Sequence, residues 1–321
     1  MQEFAFRKGL NLPVRGAPAQ EIGQGPHIRT VALLGADYRG LKPRLAVEEG
    51  DAVGAGTPIF AHKDIPQVMM TAPVSGRVKA INRGARRALI SVEIEVEPDL
   101  VAPVDFSEVG DASTADGLAE RLCASGLWNG FLTRPYSKVP DPETRPAAIY
   151  VTAIDSEPLA ADPALIIAEA GDAFVKGLSA ITLLTEGNTY LCVESGAAIP
   201  GGDVAGVTAA SFSGPHPAGL PGTHMHFLEP PTSEKIMWTI GYQDVIAIGQ
   251  MLETGHVNSE RVIALGLPYL LVLGLAEAGV WDLQQVLERS MGWDLLLGAS
   301  VVAIALIRVL AKRPTSEPAA P

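Results

Sequence analysis

The chain has 321 residues, and its 24 lysine and arginine residues against 36 aspartate and glutamate residues give a formal net charge of −12. This length suits about two domains, each able to bury its own core. The acidic balance argues against a nucleic-acid partner, which needs clustered lysine and arginine. Cys123 and Cys192 form no C-x-x-C motif, so thiolate-built iron–sulfur and zinc sites are excluded and we expect two buried free thiols.

Residues 1–29 lack the apolar stretch of a signal peptide and become rich in glycine and proline from residue 10, which predicts an extended N-terminal arm on a cytoplasmic protein. Residues 30–100 contain short apolar runs with Gly, Asp or Pro at nearly every junction, as is typical of small β-strands. The predicted strands are Thr30–Leu34, Leu45–Val47, Pro58–Ala61, Val68–Met70, Gly76–Ile81 and Leu89–Val96.

Residues 101–146 predict a helix over 107–126, followed by a polar connecting loop with several prolines. Residues 147–266 then alternate between strand and helix. The predicted elements are a strand over 148–152, a helix over 164–176, strands over 181–184 and 190–193, and a further element over 236–248. This alternation predicts a doubly wound, Rossmann-like α/β domain.

Two segments of the first domain, Val47–Pro58 and Thr71–Val78, resemble the two halves of a biotinyl/lipoyl barrel-sandwich hybrid module. In that family the modified lysine lies at the hairpin tip between the halves, and the spacing to the second turn places Ile65 there. Lys63 is close, but its surroundings do not match an acceptor sequence, and Pro66 would distort a tight hairpin. We therefore expect a structural module without a covalently attached cofactor.

Several further segments, in the same order along the chain, together resemble the NqrA family, the first of the six subunits of the bacterial sodium-translocating NADH:quinone reductase, over about residues 1–266. The segments are Lys8–Pro13 with Gly16–Pro18, Asp51–Phe60, Ala72–Gly76, Thr133–Pro140, Pro158–Pro163, Gly222–Leu228 and Gly241–Gly249. The whole chain is then expected to be an α+β protein, with a barrel-sandwich hybrid module, an α/β domain and an atypical helical C-terminal tail.

The resemblance implies an accessory subunit on the cytoplasmic face of the bacterial inner membrane. The six-subunit complex oxidises NADH, reduces ubiquinone and exports Na⁺, and the resemblance assigns its flavins and iron–sulfur centres to the other subunits. Related subunits of other complexes bind FMN with a glycine-rich loop after the barrel and its helix. Residues 125–134 lack such a glycine cluster, so we expect neither flavin nor NADH on this chain. The alternative is a flavin- or nucleotide-binding redox protein that works alone.

The family suggests contact with quinone, for which residues 131–138 are the candidate. A quinone needs an apolar or aromatic slot and donors for its two carbonyl oxygens, and Phe131, Arg134, Tyr136 and Lys138 supply both kinds of group. The alternative is that this loop only docks the chain against partner subunits.

His224 and His226 would lie on the same face of a strand, where they could bind a metal ion with His216 as the only candidate third ligand. Because that third ligand lies in a proline-rich loop, packing and hydrogen bonding are the default interpretation, and we expect no metal site.

Residues 267–321 depart from the family and are rich in apolar residues. The run Leu295–Ile307 is shorter than the ~20 residues that cross a bilayer, but an extension from Trp293 to Leu310 approaches that length, with basic residues after it. Three interpretations remain: a membrane-anchoring helix or hairpin, a packed soluble helical pair, and a truncated or fused ending.

Overall fold

The computed structural model describes residues 1–12, 18–38, 40 and 42–264. The strands are β1 (Gln2–Ala5), β2 (Thr30–Leu34), β3 (Pro43–Leu45), β4 (Ala52–Val53), β5 (Pro58–His62), β6 (Ile65–Thr71), β7 (Gly76–Arg83), β8 (Leu89–Val96), β9 (Leu132–Arg134), β10 (Ala148–Ala153), β11 (Asn188–Glu194), β12 (Val207–Ser213) and β13 (Met237–Gly241). The α-helices are α1 (Ala115–Ser125), α2 (Pro163–Glu169), α3 (Gly171–Ile181), α4 (Pro221–Leu228) and α5 (Tyr242–Thr254). The predicted α+β class is confirmed.

The first domain is a barrel-sandwich built from two small sheets. One has the order β2-β8-β7-β4 and the other β3-β5-β6. Their inner faces share an apolar core that includes Ile59, Phe60, Val92 and Ile94, each of them 0% exposed. Burial of these side chains stabilises the module by about 1.5–3 kcal/mol for each large one. The strands predicted at Thr30–Leu34 and Leu89–Val96 have the bounds that the structure shows.

The second domain is a single mixed sheet with the order β1-β12-β11-β10-β13-β9. All neighbouring pairs are parallel except β13 and β9, which are antiparallel. Strand β10 is followed by β11 on one side, whereas β13 lies on its other side, so the winding of the sheet reverses between β10 and β13. This reversal is the feature of a doubly wound fold.

Helices cover both faces of this sheet. Helices α1, α2, α3 and α5 contribute to a core on one face, and α4 contributes to a smaller core on the other. Helices α3 and α5 approach through two glycines: a Cβ atom added to Gly177 would lie 2.0 Å from the Val245 carbonyl oxygen, and one added to Gly249 would lie 1.8 Å from that of Ala173. A larger residue at either position would force the helices apart.

Helix boundaries follow from capping groups. The Thr114 side chain accepts a hydrogen bond from the Gly117 amide, 3.2 Å away, and Gly126 ends the same helix with φ of 83°. The predicted helix over 107–126 therefore begins too early. The helix predicted over 164–176 is two helices, α2 and α3, with their break at Ala170.

The strand predicted over residues 181–184 is wrong, because Ile181 is the last residue of α3 and Thr182–Leu184 form a 3₁₀ turn. Ile181 and Leu184 are fully buried, so their apolar character reflects helix packing rather than a strand. The single element predicted over 236–248 is in fact two elements: strand β13 and, directly after it, the first half of α5.

Two predicted connecting segments belong to the α/β sheet. Strand β1 lies within the arm predicted over residues 1–29 and pairs with β12, and β9 lies within the segment predicted over 101–146 and pairs with β13. Met1–Asn11, Gln20–Glu157 and Ala161–Val262 form one compact unit, which contains both domains. The predictions for residues 267–321 lie outside the described residues.

Candidate functional site

The loop that carries the predicted quinone contacts begins in β9. Thr133 holds it closed: its carbonyl oxygen accepts from the Ser137 amide at 2.6 Å, and its amide donates to the Lys138 carbonyl oxygen at 2.7 Å. The Arg134–Pro135 peptide bond is cis, and Ser137 adopts a left-handed conformation with φ of 55°. The two backbone hydrogen bonds of Thr133 therefore close a turn at the end of a paired strand.

Phe131 does not face solvent. Its ring is fully buried and lies 5.4 Å from the ring of Trp128 and 5.6 Å from that of Trp238, measured between centroids. Trp128 in turn donates from Nε1 to the Pro140 carbonyl oxygen at 2.9 Å. Direct contact between Phe131 and a ligand would require this aromatic cluster to open, so its place in the structure is that of a support behind the loop.

Arg134 is partly buried and lies opposite Met237 in the β9–β13 pair. Its Nε atom is buried and has no hydrogen-bond partner among the described residues. An unpartnered buried guanidinium nitrogen is costly unless another group satisfies it. The Arg134 Nε–H group is therefore a buried donor that no described residue satisfies.

Tyr136 and Lys138 are exposed and border a cleft of about 810 Å³. Its walls also include the apolar side chains of Pro140, Ile236 and Trp238. Acidic side chains that line the same cleft are Asp141, Glu186 and Glu234. Neither Tyr136 nor Lys138 has a side-chain hydrogen bond or ion pair in the described part of the chain, so both remain available as donors.

The cleft lies at the amino-terminal edge of the parallel strands. Pro146 and Ala147, which precede β10, line it together with Ile236, which precedes β13. Open α/β sheets usually bind ligands at the opposite, carboxyl-terminal edge, where the winding reverses. The predicted contact loop therefore lies away from the ordinary ligand site of this fold, which sequence spacing alone does not reveal.

The carboxyl-terminal edge holds a polar cluster that sequence analysis missed. Ser156, just after β10, lies 3.0 Å through its Oγ atom from His216 Nδ1 and accepts a hydrogen bond from the Gly219 amide at 2.9 Å. The N-terminal segment adds a contact, since the Leu10 amide donates to the His216 carbonyl oxygen at 2.9 Å. Ser156 and His216 are sixty residues apart, so only the sheet topology brings them together.

The hairpin tip of the barrel module is Lys63–Asp64, not Ile65 as predicted, because Ile65 already begins β6 and pairs with His62. Pro66 lies in a bulge of β6 rather than in the hairpin turn: after the pair His62–Ile65, the next residue of β6 in register is Met69, which pairs with Ala61. Asp64 is held by an ion pair with Lys42 at 2.8 Å. The side chain at the tip is therefore the exposed Lys63.

The stretch predicted to lack a flavin site, residues 125–134, is occupied by local packing. Gly126 ends α1, and a Cβ atom there would lie 2.7 Å from Thr71 Oγ1. The Asn129 amide group donates to the carbonyl oxygens of Met69 and Gly126, at 2.8 and 2.9 Å. These contacts join the helix end and the following 3₁₀ turn to strand β6 of the barrel module.

The strand expected at His224 and His226 is wrong, because both residues lie on helix α4. Residues two apart on a helix point in directions about 200° apart, so the pair does not converge on one ion. His224 is fully buried, packs against Phe212 in a tilted arrangement with ring centroids 4.3 Å apart, and contacts the Ala218 carbonyl oxygen at 2.9 Å through Nε2. Burial lowers the pKa of His224 to about 4. Within the described residues, no group of three side chains could hold a metal ion.

The two cysteines are free and buried, as predicted. Burial raises the pKa of Cys123 to about 12 and also raises the pKa of Cys192. Both thiols are therefore protonated and unreactive at neutral pH.

The described helices include none long and apolar enough to cross a membrane. By architecture, the chain is a barrel-sandwich hybrid protein with a doubly wound α/β domain. Two family models narrow this class: the NqrA N-terminal barrel-sandwich hybrid domain matches residues 4–97, and the NqrA second alpha/beta domain matches residues 113–257. The chain belongs to the NqrA family, as its sequence motifs predicted.

Curated relatives support this assignment, and each is named as the first, or "A", component of a Na(+)-translocating NADH-quinone reductase. The protein from Rhodopirellula baltica is 50% identical over 267 residues, which are 82% of this chain and 59% of the relative. Those from Cellvibrio japonicus and Pseudomonas aeruginosa are 49% and 48% identical over 265 residues, with the same coverage. The chain thus spans 59% of the length of these relatives.

Proposed function

We propose that the chain acts as the NqrA component of a Na⁺-translocating NADH:ubiquinone reductase, on the cytoplasmic face of the inner membrane. In this role it binds the other subunits, holds no flavin, iron–sulfur centre or other cofactor of its own, and is catalytic only within the complex that couples ubiquinone reduction to Na⁺ export. The family membership supports this role.

Within that role, we propose that the loop after β9 contacts the quinone head group. The observation that carries this proposal is the cleft of about 810 Å³, in which the free donors of Tyr136 and Lys138 lie beside Trp238. The Lys138 ammonium and the Tyr136 hydroxyl would donate to the quinone carbonyl oxygens, and the apolar wall would cover the ring. Phe131 supports that wall from behind, and Arg134 is a further donor at the base of the turn.

Labelling of the full chain by a photoreactive ubiquinone analogue tests this contact. Tyr136→Phe and Lys138→Met each remove one donor and should lower labelling by roughly 5- to 10-fold, since a hydrogen bond to a carbonyl group contributes about 1–1.4 kcal/mol. Arg134→Ala should also weaken labelling. Lys63→Met removes an exposed lysine from the barrel hairpin and serves as the control. Unchanged labelling in all three variants would contradict the quinone contact and favour the alternative that the loop only docks the chain against partner subunits.

The role within the complex has a separate test. The full chain, co-expressed with the other subunits, should co-purify with them from solubilised membranes. The chain purified alone should show no flavin absorbance in the visible range. Stoichiometric flavin on the isolated chain would instead support the alternative of a redox protein that works alone.

A further inference from the structure

One stretch of the barrel module carries only basic charges. Between Ile65 and Val92 the sequence contains no aspartate or glutamate, although the whole chain has a net charge of −12. The basic residues of this stretch are Arg77, Lys79, Arg83, Arg86 and Arg87. Strands β7 and β8 form one hairpin, so the last three arginines are concentrated at its tip.

The tip has no internal use for these charges. Arg83, Arg86 and Arg87 are exposed, and none of them forms an ion pair within the described part of the chain. Arg83 donates to the Arg87 carbonyl oxygen at 3.2 Å, which leaves its charge uncompensated. Glu93, the first acidic residue along β8, instead accepts a hydrogen bond from Asn82 at 2.9 Å.

The backbone of the tip is unfavourable for the residues that occupy it. Arg86 and Arg87 adopt φ of 54° and 61°, in the left-handed region. Two successive residues in this region are typical of hairpin turns occupied by Asn-Gly, because larger side chains are strained there. The chain therefore keeps two arginines where Asn-Gly would fit the turn with less strain, which indicates a use for the charge.

An apolar side chain accompanies the arginines. Ile90 is 54% exposed, and its Cδ1 atom would lie only 3.2 Å from a Cβ atom added to Gly84. Its side chain thus lies over the tip rather than in the barrel core. We name Arg83, Arg86, Arg87 and Ile90 the basic tip.

We propose that the basic tip docks the chain on an anionic lipid surface. Lysine and arginine next to an exposed apolar side chain are the combination that binds the headgroup region, because the cations attract anionic lipids while the apolar group enters the acyl boundary. The long, exposed arginine side chains of the tip suit a flat, fluid surface better than the fixed hydrogen-bond positions of a protein pocket. Screening over about 8 Å at physiological salt keeps the overall negative charge from cancelling this local attraction.

Co-sedimentation of the full chain with vesicles tests the proposal without any partner protein, and it does not depend on the proposed role within the reductase. Vesicles of phosphatidylcholine alone are compared with vesicles of phosphatidylcholine and phosphatidylglycerol in equal amounts, at low and high salt. The chain should prefer the anionic vesicles, and that preference should fall as salt rises. Equal binding to both vesicles, or a preference that salt does not change, would overturn the proposal.

The decisive variant is Arg86→Asn with Arg87→Gly, since it removes two charges and installs the residues that the turn favours. Binding to anionic vesicles should fall by roughly 10- to 30-fold, and thermal stability should not fall. The matched control, Arg29→Gln with Arg44→Gln, removes the same charge from exposed positions before β2 and on β3. An equal loss in both double variants would show that net charge, not the position of the arginines, decides binding, and would overturn the proposal.

Ile90→Ser tests the apolar contribution to lipid binding. It should weaken binding to anionic vesicles by roughly 3- to 10-fold. The reason is that the isoleucine side chain is buried in part when it enters the acyl boundary, and serine loses that burial energy. Unchanged binding by this variant would overturn the lipid assignment.

Discussion

The barrel module and the α/β domain are assembled in different ways. Strands β2 to β8 of the barrel come from one continuous stretch of chain, Thr30–Val96. The sheet of the α/β domain takes its strands from both sides of that stretch, since β1 precedes the barrel and β9 to β13 follow it. The barrel is therefore an insertion in the path of the second domain. The lesson is that a change of composition along the sequence locates the inserted domain better than the domain that surrounds it.

The largest expected loss of stability comes from a change in the aromatic cluster behind the loop after β9. Trp238 is 1% exposed, and its ring centroid lies 5.3 Å from that of Trp128, so it joins the central sheet to the segment that leads into β9. Trp238→Ala should lower the free energy of unfolding by about 3–5 kcal/mol because a large cavity remains. Urea unfolding followed by helical circular dichroism, which reports mainly on the α/β domain, measures this loss.

Tyr136→Ala is the matched control for that variant. It removes an aromatic side chain from the adjacent loop, but Tyr136 is 57% exposed, so the expected loss is below about 0.5 kcal/mol. Equal losses for the two variants would show that the cluster does not join the loop segment to the sheet.

His224 should make the stability of the α/β domain sensitive to acid. His224 lies in the smaller core of the α/β domain, and burial holds its pKa at about 4, against an ordinary value of about 6.5. Between these two pH values the unfolded chain binds a proton that the folded chain does not, so stability falls as the pH falls. The loss over this window should be about 3 kcal/mol.

Urea unfolding at a series of pH values measures this slope. His224→Gln cannot take up the proton and should flatten the dependence between about pH 6.5 and pH 4. His226→Gln, two residues away on an exposed part of the same helix, should leave it unchanged. A slope that survives in the His224 variant would assign the acid response to another group.

Sequence reasoning succeeded where the determinants were local and failed where they were distant. Strand β8 could be predicted to the residue, since apolar runs between turn residues decide its bounds. The strand at residues 181–184 was wrong because a short buried run looks the same in a helix end as in a strand. The cleft beside Tyr136 depends on Ala147 and Ile236, which only the finished sheet brings near the loop.

The N-terminal strand gives the smallest effect and the most direct test of the insertion. Phe4 stacks on Phe212 of β12 with ring centroids 5.1 Å apart, but it is only partly buried. Phe4→Ala should therefore cost about 1–2 kcal/mol, less than the ~3–5 kcal/mol for an enclosed phenylalanine. Gln2→Ala, on an exposed position of the same strand, should cost almost nothing.

Hydrogen exchange tests the pairing of the N-terminal strand at single amides. The Phe6 amide donates to the Ser213 carbonyl oxygen at 2.9 Å, so it should exchange slowly, like the amides of β12. In the Phe4→Ala variant this protection should fall while the amides of β7 and β8 in the barrel keep theirs. Fast exchange at Phe6 in the unmodified chain would instead detach the first strand from the sheet and reduce it to the extended arm that its composition predicts. Loss of protection in both domains would show that the barrel depends on the domain that surrounds it.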